Sequence, residues 1–278
     1  MKPCAISREA RTVATPMPVV STIRRFAAVA VLACGLGATS CSSTSKGLVS
    51  VAEAALAPNK ALPKPILRVP GVTEKIVVLT IDDGPSSRTE EILSLLREHE
   101  AQATFFVHTD HMNPAGVDVA VRAMLHQGHE VGNHMPCDVP TVTLYRQAFR
   151  AQLAAAHERL LRAKVRPKWF RPAGGRYQDW MPEAVAEKGY EPRMVLASAL
   201  PWDVTLHWPR FYAWQLGQRV FPGAIVVFHD GTHRDPEGSK QGRVDRTLLE
   251  LRLFLDAMKR QGYKVATLGS VWPKRTDA

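Results

Sequence analysis

From residue 75 onward the chain alternates short apolar runs, rich in β-branched residues, with longer amphipathic ones. An apolar run without polar alternation fits a strand buried on both faces, whereas apolar positions three and four apart fit a helix packed by one face. The pattern predicts strands over 75–82, 103–108, 129–133, 167–171, 193–199, 223–228 and 263–268. Between them it predicts helices over 88–99, 115–127, 143–164, 178–188, 209–219 and 244–261. Regular strand–helix alternation means βαβ units and a parallel sheet, so the fold class is α/β. About seven strands within 71–278 fit one closed or nearly closed (β/α) barrel, with an open doubly wound sheet as the alternative. Both architectures bind ligands at the carboxyl ends of their strands.

Polar residues gather at those ends. Asp82 and Asp83 close the first run just before Gly84-Pro85, His134 follows the third, Arg171 the fourth, Asp203 the fifth, and His229-Asp230 the sixth. Adjacent carboxylates repel unless a cation or proton intervenes, which suits a metal ion on one acid and base chemistry on the other; an ordinary Asp-Asp-Gly-Pro turn is the plainer alternative. His134 and Asp138 are spaced i, i+4, and if Pro136 sits in a first helical turn the two side chains share a face and can share a cation. Imidazole with carboxylates suits Zn²⁺, and also Co²⁺, Ni²⁺, Mn²⁺ or Fe²⁺. A helix-start histidine beside a capping acid would look the same. The glycine loop after Phe170-Arg171-Pro172 can bring the Gly174 backbone N–H to a substrate oxygen, and Arg171 can grip a carboxylate, catalytic or structural. His229, with a neighbouring carboxylate, can donate a proton to a leaving group.

Thr80-Ile81-Asp82-Asp83-Gly84-Pro85, Gly128-His129-Glu130-Val131-Gly132-Asn133-His134, Phe170-Arg171-Pro172 with Gly174, and Val227-Phe228-His229-Asp230-Gly231 together resemble the ordered motifs of the polysaccharide deacetylase family, the NodB-homology domain of carbohydrate esterase family 4. The resemblance implies a deformed (β/α) barrel and a metal-dependent hydrolase that removes acetyl groups from N-acetylated sugars in polymers such as peptidoglycan, exopolysaccharide or chitin-like chains. By position it makes Asp83 and His134 metal ligands, Asp82 the general base, Arg171 the group that orients it and His229 the general acid. Asp138 stands where most members carry a second histidine, giving an Asp-His-Asp set. Asp203 would tune His229, and Gly174 stands where an aromatic residue is common, its N–H still available to an oxyanion. A small-substrate amide or ester hydrolase, or a non-catalytic carbohydrate-binding lipoprotein, are the competing expectations.

The N-terminus adds a location. Arg24-Arg25, an apolar stretch from Phe26 to Ala38 and then Ser40-Cys41 read as an export signal of lipoprotein type over 1–41, followed by an Ala-, Pro- and Ser-rich tether over 42–70 and the folded domain over 71–278. Lipidation of Cys41 would place the domain at the cell envelope, anchored to the membrane. The chain's net charge is +10, and residues 1–41 hold five Lys or Arg against one Glu, leaving about +6 for the remainder. That favours anionic surfaces, while no motif supports nucleic-acid binding. At 45% hydrophobic residues the chain can build one good core. Cys137, the one cysteine of 71–278, is expected to be a buried bystander.

Overall fold

Ile76–Asp82 (β2) shows how the sequence builds the centre of the molecule. Val77, Leu79 and Ile81 pack outward against helices, while Val78, Thr80 and Asp82 alternate to the opposite, inward face. The computed structural model describes residues 48–49, 65–113, 118–190, 194–199, 209–230 and 240–273, all within the unit Leu48–Ala278. The other strands are β1 (Leu48–Val49), β3 (Thr104–Val107), β4 (Glu130–Asn133), β5 (Tyr177–Gln178), β6 (Ile225–His229) and β7 (Lys264–Ala266). The helices are α1 (Thr89–Glu98), α2 (Val119–His126), α3 (Arg146–Arg162), α4 (Met181–Glu187), α5 (Pro209–Arg219), α6 (Lys240–Gln261) and α7 (Leu268–Val271).

Parallel pairing runs β4–β3–β2–β6, with β7 also on β2. Strand β2 is shared along its length: Ile76–Val78 pair with β7, whereas Thr80–Asp82 pair with β3, so the barrel is deformed rather than regular. The expected strands at 167–171 and 193–199 narrow to isolated bridges, Asn133 with Phe170 and Ala199 with Val226. Pro172 lacks an N–H and stops further pairing after Arg171. These bridges still close the ring, since Asn133 N donates to Trp169 O at 2.9 Å, Val195 N to Phe170 O at 2.9 Å and Val227 N to Ala199 O at 3.3 Å. An additional antiparallel pair, β1 with β5, was not expected.

Outside the ring, Ile92, Leu93 and Leu96 of α1 and Leu251, Phe254 and Met258 of α6 cover Val77, Leu79 and Ile81. Inside it, Val78, Phe106, Trp169, Val195, Ile225 and Leu268 form a separate apolar layer. At the carboxyl end of that interior stand Thr80, Asp82 and Arg171. Burying a charged side chain there is tolerable only with full pairing, and Arg171 has it.

Candidate metal and catalytic site

Arg171 spends its donors on four partners. Its Nη1 donates to Asp82 Oδ1 and Thr80 Oγ1, both at 2.7 Å, its Nη2 to Leu196 O at 2.9 Å and its Nε to Val195 O at 3.2 Å. The guanidinium also lies over the Phe106 ring, 4.3 Å from its centroid. Asp82 is thereby fixed at the end of β2, one carboxylate oxygen held and the other 3.8 Å from His134 Nε2.

Asp83 leaves the strand in the left-handed region, φ 73°, which turns its carboxylate away from that of Asp82 and toward two imidazoles. His108 Nε2 and His134 Nε2 each lie 3.4 Å from Asp83 Oδ1, and the two rings stack with centroids 4.7 Å apart. All three residues are buried, and their ligand atoms lie within 4.8 Å of one another. His134 Nδ1 donates to Arg171 O at 2.9 Å, which orients the ring so that Nε2 is the nitrogen facing the acids, the one a metal would take. Two ligands each about 2.0–2.1 Å from a tetrahedral ion stand about 3.4 Å apart. The Asp83–imidazole separations match that edge, and one carboxylate with two imidazoles is a donor set for Zn²⁺ or a neighbouring divalent metal.

The electrostatics ask for a cation at the same spot. Burial raises the Asp83 carboxyl, yet His108 and His134 hydrogen bonding and the nearby positive charge outweigh it and hold it well below the usual range. Burial alone would lower His134, but the Asp82 and Asp83 charges push it up instead. Both shifts express one demand, for positive charge between these groups.

Asp138 is not among the residues brought together, and His108 takes the third place instead. The expected helix after His134 does not form: Met135 stands at φ 73° and residues 136–139 run through bends, so i, i+4 spacing no longer puts two side chains on one face. His108 directly follows β3, and the same strand-end rule that picked out Asp82, Asp83 and His134 applies to it. The site's supports were also missed. Asn133 Oδ1 accepts from Met135 N at 2.7 Å and steadies the left-handed turn, while Asn133 Nδ2 donates to Tyr190 Oη at 2.7 Å. His111 Nδ1 donates to Asp83 O at 2.8 Å, holding the other left-handed residue.

His229 ends β6 in register with Asp82 across the ladder, partly exposed at the same rim. Asp230, a candidate partner for it, is turned elsewhere: its carboxylate accepts from Ser86 Oγ at 2.6 Å and from Thr89 Oγ1, and burial raises it to about 6. Asp203, the other candidate, lies outside the described residues, as do Cys41 and the signal. Gly174 sits in a 3-10 turn at φ 74°, a conformation suited to glycine. Cys137 is partly exposed rather than buried.

Known proteins resemble this chain in sequence and in fold. A family description, Polysaccharide deacetylase, matches residues 70–192. The chitooligosaccharide deacetylase of Bradyrhizobium sp. (strain ANU 289) is 31% identical over 215 residues, covering 69% of this chain and 88% of the relative. A peptidoglycan-N-acetylglucosamine deacetylase of Bacillus cereus is 27% identical over 201 residues, covering 71% of this chain and 88% of the relative. Among solved structures, a CE4 family pseudoenzyme from Bacillus anthracis superposes with a TM-score of 0.63 at 23% identity, over 75% of this chain and 69% of the other, a likeness of fold. The chain belongs to the polysaccharide deacetylase family, and its barrel is that of carbohydrate esterase family 4.

Proposed function

We propose that this protein is an exported, metal-dependent N-deacetylase of N-acetylated glycans, with Asp83, His108 and His134 as the metal ligands and zinc as the metal. The observation that carries the reading is the pairing of that three-residue cluster with an Asp82 locked by Arg171. When bound there, a divalent ion supplies Lewis acidity to the acetyl carbonyl and lowers the pKa of a water. Asp82 receives the proton of the attacking water; Arg171 keeps its second oxygen aimed at the site. The N–H of Gly174 is the backbone donor for the oxyanion, a contribution of about 3–4 kcal/mol where such donors have been removed. His229 returns a proton to the departing amine, with Asp203 as the carboxylate that tunes it. Acetate and a free amino sugar result. The names of the relatives support peptidoglycan or chitin-type oligomers as substrates, and the signal-like segment ending at Cys41 supports a lipid-anchored, envelope-facing enzyme.

The test is acetate release by the full chain from peptidoglycan, chitooligosaccharides and poly-N-acetylglucosamine, with metal content measured on the same samples. Zinc-dependent release from at least one of these, abolished by chelation and restored by metal, is expected. A metal-loaded protein that binds glycan but releases nothing would make it a non-catalytic carbohydrate-binding protein of the same fold.

A further inference from the structure

Helix α5 has two unlike faces. Ala213 and Leu216 are buried, and Gly217 gives α6 close approach, since a Cβ there would stand 3.4 Å from Ala257 Cβ. The other face carries Phe211, 45% exposed, and Trp214, 60% exposed. Their ring centroids are 6.0 Å apart with planes inclined by 35°, and Tyr212 braces Phe211 edge-on at 5.4 Å. Two large rings held together in solvent gain nothing for the core. Helix α5 contains no Asp or Glu, and its charged residues are Arg210 and Arg219.

The fold places these rings toward the catalytic rim. Just past α5, Gly223 N donates to Ile76 O at 2.8 Å, so the helix ends at the amino end of β2. Phe211 lies eight residues earlier than Arg219, about 12 Å back along the axis, toward the end where β2 delivers Asp82 and Asp83 and β6 delivers His229. Helix α5 also directly precedes β6 in the chain, the strand that ends at His229.

We propose that Phe211 and Trp214 form a stacking subsite for sugar units beyond the one being deacetylated, so that the site favours an extended N-acetylated glycan over a short one. The inference rests on the deacetylase reading. Shallowly inclined rings offer flat apolar faces to pyranose C–H groups, the kind of surface that binds amphipathic ligands. A membrane-lying helix needs a much broader apolar face than two rings flanked by Arg and Gln. Two half-exposed rings also fall far short of the roughly 800 Å² per partner of a stable dimer.

The experiment compares kcat/KM for acetate release from a long soluble N-acetylglucosamine polymer and from its disaccharide, in the full chain and in F211A/W214A. The polymer-to-disaccharide ratio should fall about tenfold or more on losing both rings, and F211Y/W214F should keep it. An unchanged ratio overturns the proposal. So does an unchanged ratio accompanied by loss of binding to phosphatidylserine vesicles, or by loss of a dimer in sedimentation, which would assign the rings to a membrane or to a second copy. Absence of acetate release by the unmodified chain would defeat the deacetylase reading alone; co-sedimentation with insoluble polymer, expected to weaken in F211A/W214A, would then still decide the subsite.

Discussion

His108 and Asp138 divide the question of metal binding between two single residues. His108 is fully buried, stacked on His134 and 3.4 Å from Asp83 Oδ1, whereas Asp138 follows a left-handed turn that takes it out of the cluster. His108→Ala and Asp83→Asn should each weaken zinc binding by more than about 100-fold, beyond the 10–100-fold typical of losing an outer partner. Asp138→Ala should leave it nearly unchanged. Competition titration against a chromogenic chelator reads all three, and the reverse ranking would return Asp138 to the ligand set. Asp82→Asn should retain the metal and lose turnover by about 10²–10⁴-fold, the range for deleting a general base; loss of metal along with activity would mean that the two adjacent acids share one role. Asp82, Asp83, His134 and Arg171 were legible because each ends a predicted strand before a turn signal. His108 also ends one, but the i, i+4 spacing of His134 and Asp138 points to Asp138 as the third ligand, and Met135 at φ 73° breaks the helix which that spacing needs.

At the scale of elements, the pattern located the parallel strands of the described residues, β2, β3 and β6 most clearly, because burial on both faces leaves a nearly unbroken apolar run there. It could not show that 167–171 and 193–199 would reduce to single bridges, since pairing there depends on partners far along the chain and on the missing N–H of Pro172. Nor could it show how β3 and β4 are pinned at their starts. His129 does this: its Nδ1 accepts from Ala103 N at 3.2 Å, its ring meets Phe105 edge-on, and burial pushes it down to about 4. A histidine kept neutral by folding contributes stability that is full above its unfolded pKa near 6.5 and lost as pH falls from there toward 4. Relative to His129→Asn, whose side-chain oxygen can still accept from Ala103, the unmodified protein should lose about 3 kcal/mol more between pH 7 and pH 4. Urea unfolding at the two pH values measures this. Parallel pH profiles for the two proteins would place the destabilising protonation elsewhere.

At the scale of the whole molecule, the catalytic end of the barrel is held by charge and the opposite end by apolar packing. Val78, Phe106, Trp169, Val195, Ile225 and Leu268 fill the interior below, while Thr80, Asp82, Arg171 and the Asp83–His108–His134 cluster occupy the rim. The three buried candidate ligands directly follow β2, β3 and β4, so a cation held there would tie neighbouring strands together. Metal that binds only the folded chain stabilises it by mass action, about 2.7 kcal/mol at a free concentration 100 times Kd. For a domain of this size that is a rise of about 5–10 °C in Tm. Calorimetry with and without zinc should therefore show the rise in the unmodified protein and in Asp82→Asn, but not in His108→Ala or Asp83→Asn. Equal stabilisation of all four would locate the stabilising metal outside this cluster and separate the barrel's stability from its chemistry.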